Sequence, residues 1–341
     1  MNKRTLIPVL LLIALAAISL FLFLIKKIKS EILFVIMGVC FAADLWPVAT
    51  RYLNNSKFIS KSQQQAAFAT TKADEEILQD KNLDYRVLNL AVNPFMDATT
   101  SYHHKSIGGY HGAKLKKYDE LISFHLFKEM DLFSKGLRSV DNDSSMNVLT
   151  AQLPVLNMLN TKYIIYPGKD YPIPITNPQA NGNAWLIKKI KTVANADSEI
   201  VNLYNANTKI EAIIQQKNKS TITANDNYSG EGKITLMSYK PNHLVYETKT
   251  NSTEFAVFSE IYYPKGWNAY VDGILTSYTC VDYLLRGMEI PAGNHTIEYK
   301  FEPTIYKVGN TIALIGSILL FLSIGGSFYL AFKNREFNNE F

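Results

Sequence analysis

The sequence predicts a membrane protein with an α+β soluble region. It has an N-terminal transmembrane helical hairpin, a mixed α/β lobe plus an antiparallel β-sandwich, and one C-terminal transmembrane helix. Three observations predict this. Apolar residues collect at the two ends of the 341-residue chain. The middle reads as globular sequence whose last third alternates in short strands between turn signals. The 20 Tyr and 18 Phe suit β-rich packing more than a helical bundle.

The first span, 6–25, carries no charge and is long enough for a helix crossing about 30 Å of hydrocarbon. Pro8 falls in its first turn, where a missing N–H costs little. The run is long for a signal peptide and no small-residue cleavage site follows, so it reads as a retained helix. The second span, 32–48, carries Asp44 near its end, and Trp46 and Tyr52 follow with Arg51 between them. Aromatics at headgroup level followed by charge are how a helix leaves the bilayer. Asp44 is then an interfacial residue, or else an intramembrane acid with a function. The third span, 308–332, holds Gly309, Gly316, Gly325 and Gly326, small residues that permit close helix approach.

Basic residues set the orientation. Lys26, Lys27 and Lys29 lie between the first two spans, and Lys333 and Arg335 follow the third. Both groups are expected in the cytoplasm, which puts the soluble region outside it. Lys3 and Arg4 conflict with this arrangement. The expected divisions are 1–52 for the hairpin, 53–80 for a polar helical neck, 81–210 for the lobe and 211–305 for the sandwich. The last helix takes 306–333 and a cytoplasmic tail 334–341.

Within the lobe, residues 85–90 read as a strand stopped by Asn93-Pro94. A helix of about twenty residues follows 114, with Leu115, Tyr118, Ile122 and Leu126 on one face. A second helix covers 146–159 with a break near Pro154. Residues 161–166 read as a strand, 167–182 as a Pro-rich loop, and 184–191 as strand again. In the sandwich, 254–263 is a strand, and Asp272-Gly273 suits a two-residue hairpin. The strand ending at Phe301 buries Ile297, Tyr299 and Phe301 on one face.

The net charge of +5 comes with no basic stripe, so no nucleic-acid partner is expected. Cys40 and Cys280 are the only cysteines, and their placement gives no disulfide framework. No P-loop, dinucleotide fingerprint or Ser/His/Asp order is present, and no cofactor is expected.

The best site candidate is the segment 101–114, with Tyr102, His103, Lys105, Gly108, Gly109, Tyr110 and Lys114 as candidate binding residues. A Gly-rich turn running into a helix presents N–H groups to an anion. The same glycines also suit a structural turn with positive φ. His103, His104 and His111 lack an acidic partner at metal-ligand spacing, so no metal is expected. Trp267 and Arg286, with Asp272, are candidates for a sugar-binding face on the sandwich. Asp84 and Arg86, two apart on a strand, read as a surface ion pair.

Several phrases together resemble the YfhO family of bacterial membrane proteins. They are Phe258-Ser259-Glu260-Ile261-Tyr262-Tyr263-Pro264, Gly266-Trp267-Asn268-Ala269-Tyr270-Val271-Asp272-Gly273, Leu285-Arg286, Ile290-Pro291-Ala292-Gly293-Asn294-His295-Thr296-Ile297-Glu298 and Phe301-Glu302-Pro303. Asp44-Leu45-Trp46, Arg51-Tyr52-Leu53, the segment 101–114 and Leu156-Asn157-Met158-Leu159-Asn160-Thr161-Lys162-Tyr163 add to them. The wording is nearest to the branch in Bacteroidetes-type bacteria. The resemblance covers nearly the whole chain.

That family is similar to GT-C membrane glycosyltransferases, which implies transfer of a sugar from a polyprenyl-phosphate donor to an envelope glycan. Its members carry many more helices before the outer domain, and GT-C enzymes have an acidic loop after the first helix. Here that loop is a short basic turn. The resemblance therefore implies the C-terminal portion of such an enzyme, catalytically incomplete alone: a fragment, a split-gene product or a subunit partnered by a separate N-terminal multi-helix polypeptide. It places the chain in the bacterial inner membrane with a periplasmic domain and the lipid bilayer as partner. Lys3 and Arg4 then mark a secondary start. The other reading is a non-enzymatic, membrane-anchored glycan-binding or scaffold protein.

Overall fold

Uncharged apolar runs form the terminal helices because only a helix satisfies its own backbone groups in lipid. The computed structural model describes residues 3–110, 112–222 and 225–338. The chain divides into two compact units between Ala69 and Thr70.

In the first unit, α1 (Lys3–Leu24) and α2 (Ser30–Tyr52) pack on each other and bury Ser19, Leu33 and Cys40. Lys26 closes α1 with φ 57°, its N–H reaching Phe23 O and the N–H of Lys27 reaching Leu22 O. This is the six-to-one and five-to-two bonding of a Schellman turn, with lysine where glycine is usual. Ser30–Lys57 is long and apolar enough to cross a bilayer, while the apolar run Val9–Leu24 of α1 is shorter. Asp44 is exposed on α2. The short α3 (Lys61–Ala67) follows, started by a Ser60–Gln63 capping box.

The second unit opens with α4 (Lys72–Ile77), started by a Thr71–Asp74 capping box. Ala73 and Ile77 are buried against Val87 and Ile165, so this end of the expected neck is tied into the lobe. β1 (Arg86–Asn89) follows. The expected long helix is α5 (Lys116–Leu121), a π-turn at Ile122–Leu126 and α6 (Phe127–Gly136). The second expected helix is split by Pro154 into α7 (Asp143–Thr150) and α8 (Pro154–Met158). β2 (Thr161–Tyr166) pairs parallel to β1.

The Pro-rich stretch 167–182 is not all loop. It contains β3 (Ile173–Thr176), antiparallel to β2. Pro174 is tolerated because β3 is an edge strand, where a missing donor breaks no ladder. The stretch 184–191 is not one strand but two. β4 (Ala184–Ile187) joins the sandwich, while β5 (Lys189–Val193) leads through α9 (Ala196–Asn202) to its parallel partner β6 (Glu211–Gln215).

After α10 (Gln216–Lys219) come β7 (Lys233–Lys240), β8 (His243–Thr250), β9 (Glu254–Ile261), β10 (Trp267–Val271), β11 (Ile274–Thr276), β12 (Thr279–Val281), β13 (Leu285–Ile290) and β14 (Gly293–Phe301). They form two antiparallel sheets, ordered β11-β10-β14-β8-β7 and β12-β13-β9-β4. Asp272 (φ 49°) and Gly273 (φ 79°) make the left-handed two-residue turn between β10 and β11.

The four-stranded sheet is a middle layer. Ala256, Phe258, Met288 and Ile290 face Leu244, Tyr246, Ile297 and Tyr299 of the five-stranded sheet. Phe258 meets Tyr246 and Tyr299 edge-on, with ring centroids 5.0 Å apart in each pair. From the opposite face, Phe255, Val257, Trp185 and Leu285 join Leu121, Leu126, Phe133 and Leu156 in the lobe core.

β14 reaches the last helix through Glu302-Pro303. That helix, α11 (Thr304–Asn338), holds an apolar stretch, Thr304–Leu330, long enough to cross a bilayer, none of it buried by protein. A bare apolar surface of this extent finds its solvent in lipid. Tyr306 and Lys307 stand at its start, suited to the headgroup layer.

Glu129 of α6 holds the start of α8. Its two oxygens accept the N–H groups of Val155 (2.9 Å) and Leu156 (2.8 Å). Burial pushes this carboxyl up to about 8, against those two bonds, which favour its charge. A carboxyl raised on folding binds its proton more tightly in the folded state. Its contribution is present in full below the usual value of 4.5 and is lost as pH rises to about 8. Thermal unfolding should therefore show the midpoint falling across that window. Glu129→Gln should flatten the fall, yet cost about 1–3 kcal/mol at pH 5, because an amide cannot accept both N–H groups.

Candidate functional site

The segment 101–114 leaves β1, turns at Asn93-Pro94 and comes back beside the same strand. Val87 donates to Lys105 O (2.8 Å) and Ile107 donates to Val87 O (3.0 Å). This return buries Ile107 and His104. The His104 ring nitrogen Nε2 lies 2.9 Å from Asp74 Oδ1, an acidic partner thirty residues away that local spacing did not reveal. A side chain at Gly108 would place its Cβ 1.7 Å from Pro94 O, so only glycine fits. Gly109 donates to the same carbonyl (2.7 Å) with φ +126°. These glycines thus close the loop on Pro94, and the helix starts later, at Lys116.

The other candidates of this segment are spread along it. Tyr102 is exposed and His103 half-buried, its ring 6.3 Å from that of His104. Tyr110 is exposed. Lys114 sits 3.9 Å from Asp119 and 5.6 Å from the Phe95 ring centre. His111 lies outside the described residues.

Lys105 leads to a different grouping. Its ammonium pairs with Asp84 and stands over the ring of Tyr239 on β7. Asp84 is buried, and Asn183 Nδ2 donates to its carboxylate (2.9 Å). Arg86 donates to Leu159 O and Ser259 O, both at 2.8 Å, and lies 3.4 Å from Glu260 Oε1. Asp84 and Arg86 are therefore not a surface ion pair. Each is drawn inside to a partner distant in sequence, because β1 runs against the end of β9. Burial opposes the Arg86 charge, and Glu260 and Asp84 outweigh it, so the guanidinium stays ionised.

Arg286 of β13 is 2% exposed. Its guanidinium lies between the rings of Trp267 (4.3 Å) and Tyr299 (4.9 Å), and Nε donates to Ile261 O (3.2 Å). Nη1 is buried with no hydrogen-bond partner. Tyr239 links the two groups, since it feels the charges of Arg86, Glu260 and Asp84 as well as Arg286. Burial first, then the two carboxylates, raise its phenol pKa.

The structure therefore sets Lys105 on Asp84 and Tyr239 and Arg286 on Trp267 and Tyr299, with Tyr239 and Glu260 as neighbours that were not among the expected site residues. One signal was available. Ser259-Glu260 interrupts an apolar strand, and a charge there must find a partner. Three cations stand against two carboxylates at this junction, which leaves it with a net positive charge.

Fold and site define a membrane-anchored protein whose α/β lobe and β-sandwich share one sheet, with a charged junction where β1 meets the sandwich. Residues 207–313 match the family model described as bacterial membrane protein YfhO. This bears out the YfhO resemblance over β6, the whole of β7–β14 and the first turns of α11. No curated protein and no solved structure matches the chain.

The two arginines should respond differently to removal. Arg86→Met strands Glu260 and two carbonyls, and should cost about 3–5 kcal/mol in urea unfolding. Arg286→Met removes an unsatisfied donor but also the stacked guanidinium and the bond to Ile261 O, and should cost about 1–3 kcal/mol, less than Arg86→Met.

Proposed function

We propose that this chain is the C-terminal, extracytoplasmic and membrane portion of a YfhO-like glycosyltransferase that uses a polyprenyl-phosphate sugar to modify cell-envelope glycans. The family match running through the sandwich into α11 carries this reading. The junction supports it. Trp267 pairs with Phe301, just before the chain enters α11, so Arg286 sits toward the end of the sandwich from which the membrane helix departs. The guanidinium, buried between its rings, would there lend positive potential to the surface that a lipid-linked phosphate approaches.

In this reading Lys26, Lys27 and Lys29 face the cytoplasm of the inner membrane, as do Lys333 and Arg335, and the large region is periplasmic. Catalysis then draws on the multi-helix portion of such a protein, because the acids of the junction are committed to Lys105 and Arg86.

That commitment also favours a second reading. A junction whose carboxylates are both paired has no free acid or base, as expected of a non-enzymatic glycan-binding or scaffold protein.

Two measurements test these readings. Alkaline phosphatase fused after Lys57 should be active and fused after Asn338 inactive. The reverse pattern contradicts the periplasmic placement. Co-expression with the multi-helix half of a YfhO protein should give a copurifying pair that transfers sugar, with Arg286→Met lowering transfer without loss of folded protein. Absence of both assembly and transfer leaves the scaffold reading.

A further inference from the structure

A sizeable cleft lies away from the junction. It opens between the π-turn with α6 on one side and the chain at 204–209 on the other, with the start of α8 beneath it. Its volume is about 550 Å³, within the range of small-ligand sites. From its lining we infer that it binds an acidic oligosaccharide. This goes beyond the enzyme reading and does not rest on it.

Amides dominate the walls, and several are held in place from behind. Gln152 Nε2 donates to Val148 O (3.2 Å), Gln179 Nε2 to Asn147 Oδ1 (3.0 Å) and Asn181 Nδ2 to Thr208 Oγ1 (3.1 Å). Each bond fixes an amide by its nitrogen and leaves the oxygen as an oriented acceptor. Asn207 is fixed the other way, its Oδ1 taking the N–H of Lys209 (3.3 Å), which leaves its NH₂ as a donor. Three oriented acceptors and one oriented donor suit the hydroxyls of a sugar.

Tyr204 supplies a face. It is 60% exposed at the edge of the cleft, and an exposed ring can pack on the C–H face of a pyranose. The Lys128 ammonium lies 5.8 Å from the centre of that ring.

Charge decides the class of sugar. Lys128 and Lys209 are exposed at the cleft, and neither is in an ion pair among the described residues. The one carboxyl among the lining residues is Glu129, and both its oxygens are taken by backbone N–H groups. Two free ammonium groups without an opposing free carboxylate select a ligand carrying a carboxylate or a phosphate.

The local backbone supports a functional role. The π-turn Ile122–Leu126 turns His125 inward, where Nε2 meets Ile200 O at 2.6 Å beneath the cleft. Single π-turns within α-helices are frequent at functional sites.

The test is binding of a panel of oligosaccharides to the full chain in detergent micelles. Tetragalacturonate and phosphorylated maltotetraose serve as acidic probes, with unmodified maltotetraose as the neutral one. At least one acidic probe should bind saturably, and the neutral probe about tenfold or more weaker. Tyr204→Ala and the pair Lys128→Ala/Lys209→Ala should each weaken the acidic probe about tenfold. These side chains are exposed, so the thermal midpoint should not move. The inference is overturned if no acidic probe binds, if the neutral one binds as well, or if the variants bind unchanged. None of these results bears on the co-expression test of sugar transfer.

Discussion

Everything in the large unit depends on β9 being buried on both faces. Residues 254–259 are all buried. Phe255 and Val257 point into the lobe core, while Ala256 and Phe258 point into the sandwich core. A strand flanked on both sides has no solvent face, so its apolar residues need not alternate with polar ones. Removing either neighbour would expose large aromatic and aliphatic surface, each such side chain being worth about 1.5–3 kcal/mol when buried. Lobe and sandwich therefore stabilise each other through one shared sheet.

The same strand sets up the charged junction. Where its apolar run ends, Ser259 and Glu260 meet Arg86 from β1, and Asp84 draws in Lys105. On the neighbouring strand β13, Arg286 is clamped between two rings. Paired charges inside a protein specify which elements meet, because a misplaced partner leaves a buried charge alone. A structural role accounts for Arg86, whose donors are used. It accounts less well for Arg286, which keeps one donor idle in a place where idle donors are costly.

Much of this was legible in the sequence. The apolar ends, the Asp272-Gly273 hairpin and the alternation of Ile297 and Tyr299 each follow from local rules that tertiary packing did not override. β3 was missed because four prolines outweighed its short apolar run, although an edge strand accommodates one of them. The division of 184–191 was missed because a switch between sheets leaves no mark on periodicity. Lys105, Trp267 and Arg286 were legible as unusual residues, but the junction around them was not. It depends on Arg86 finding Glu260 across 174 positions. The amide-lined cleft left no motif at all, since Gln152, Asn181 and Asn207 come from separate connections and nothing in the sequence relates them.

The central claim is that β9 welds lobe and sandwich into one cooperative structure. Native-state hydrogen exchange of the full chain in micelles tests it most directly. The amides of β2, β9 and β14 should exchange through a common opening, with the same free energy and the same denaturant dependence. If β2 and the lobe helices open at markedly lower free energy while β9 and β14 stay protected, the shared-sheet account is contradicted.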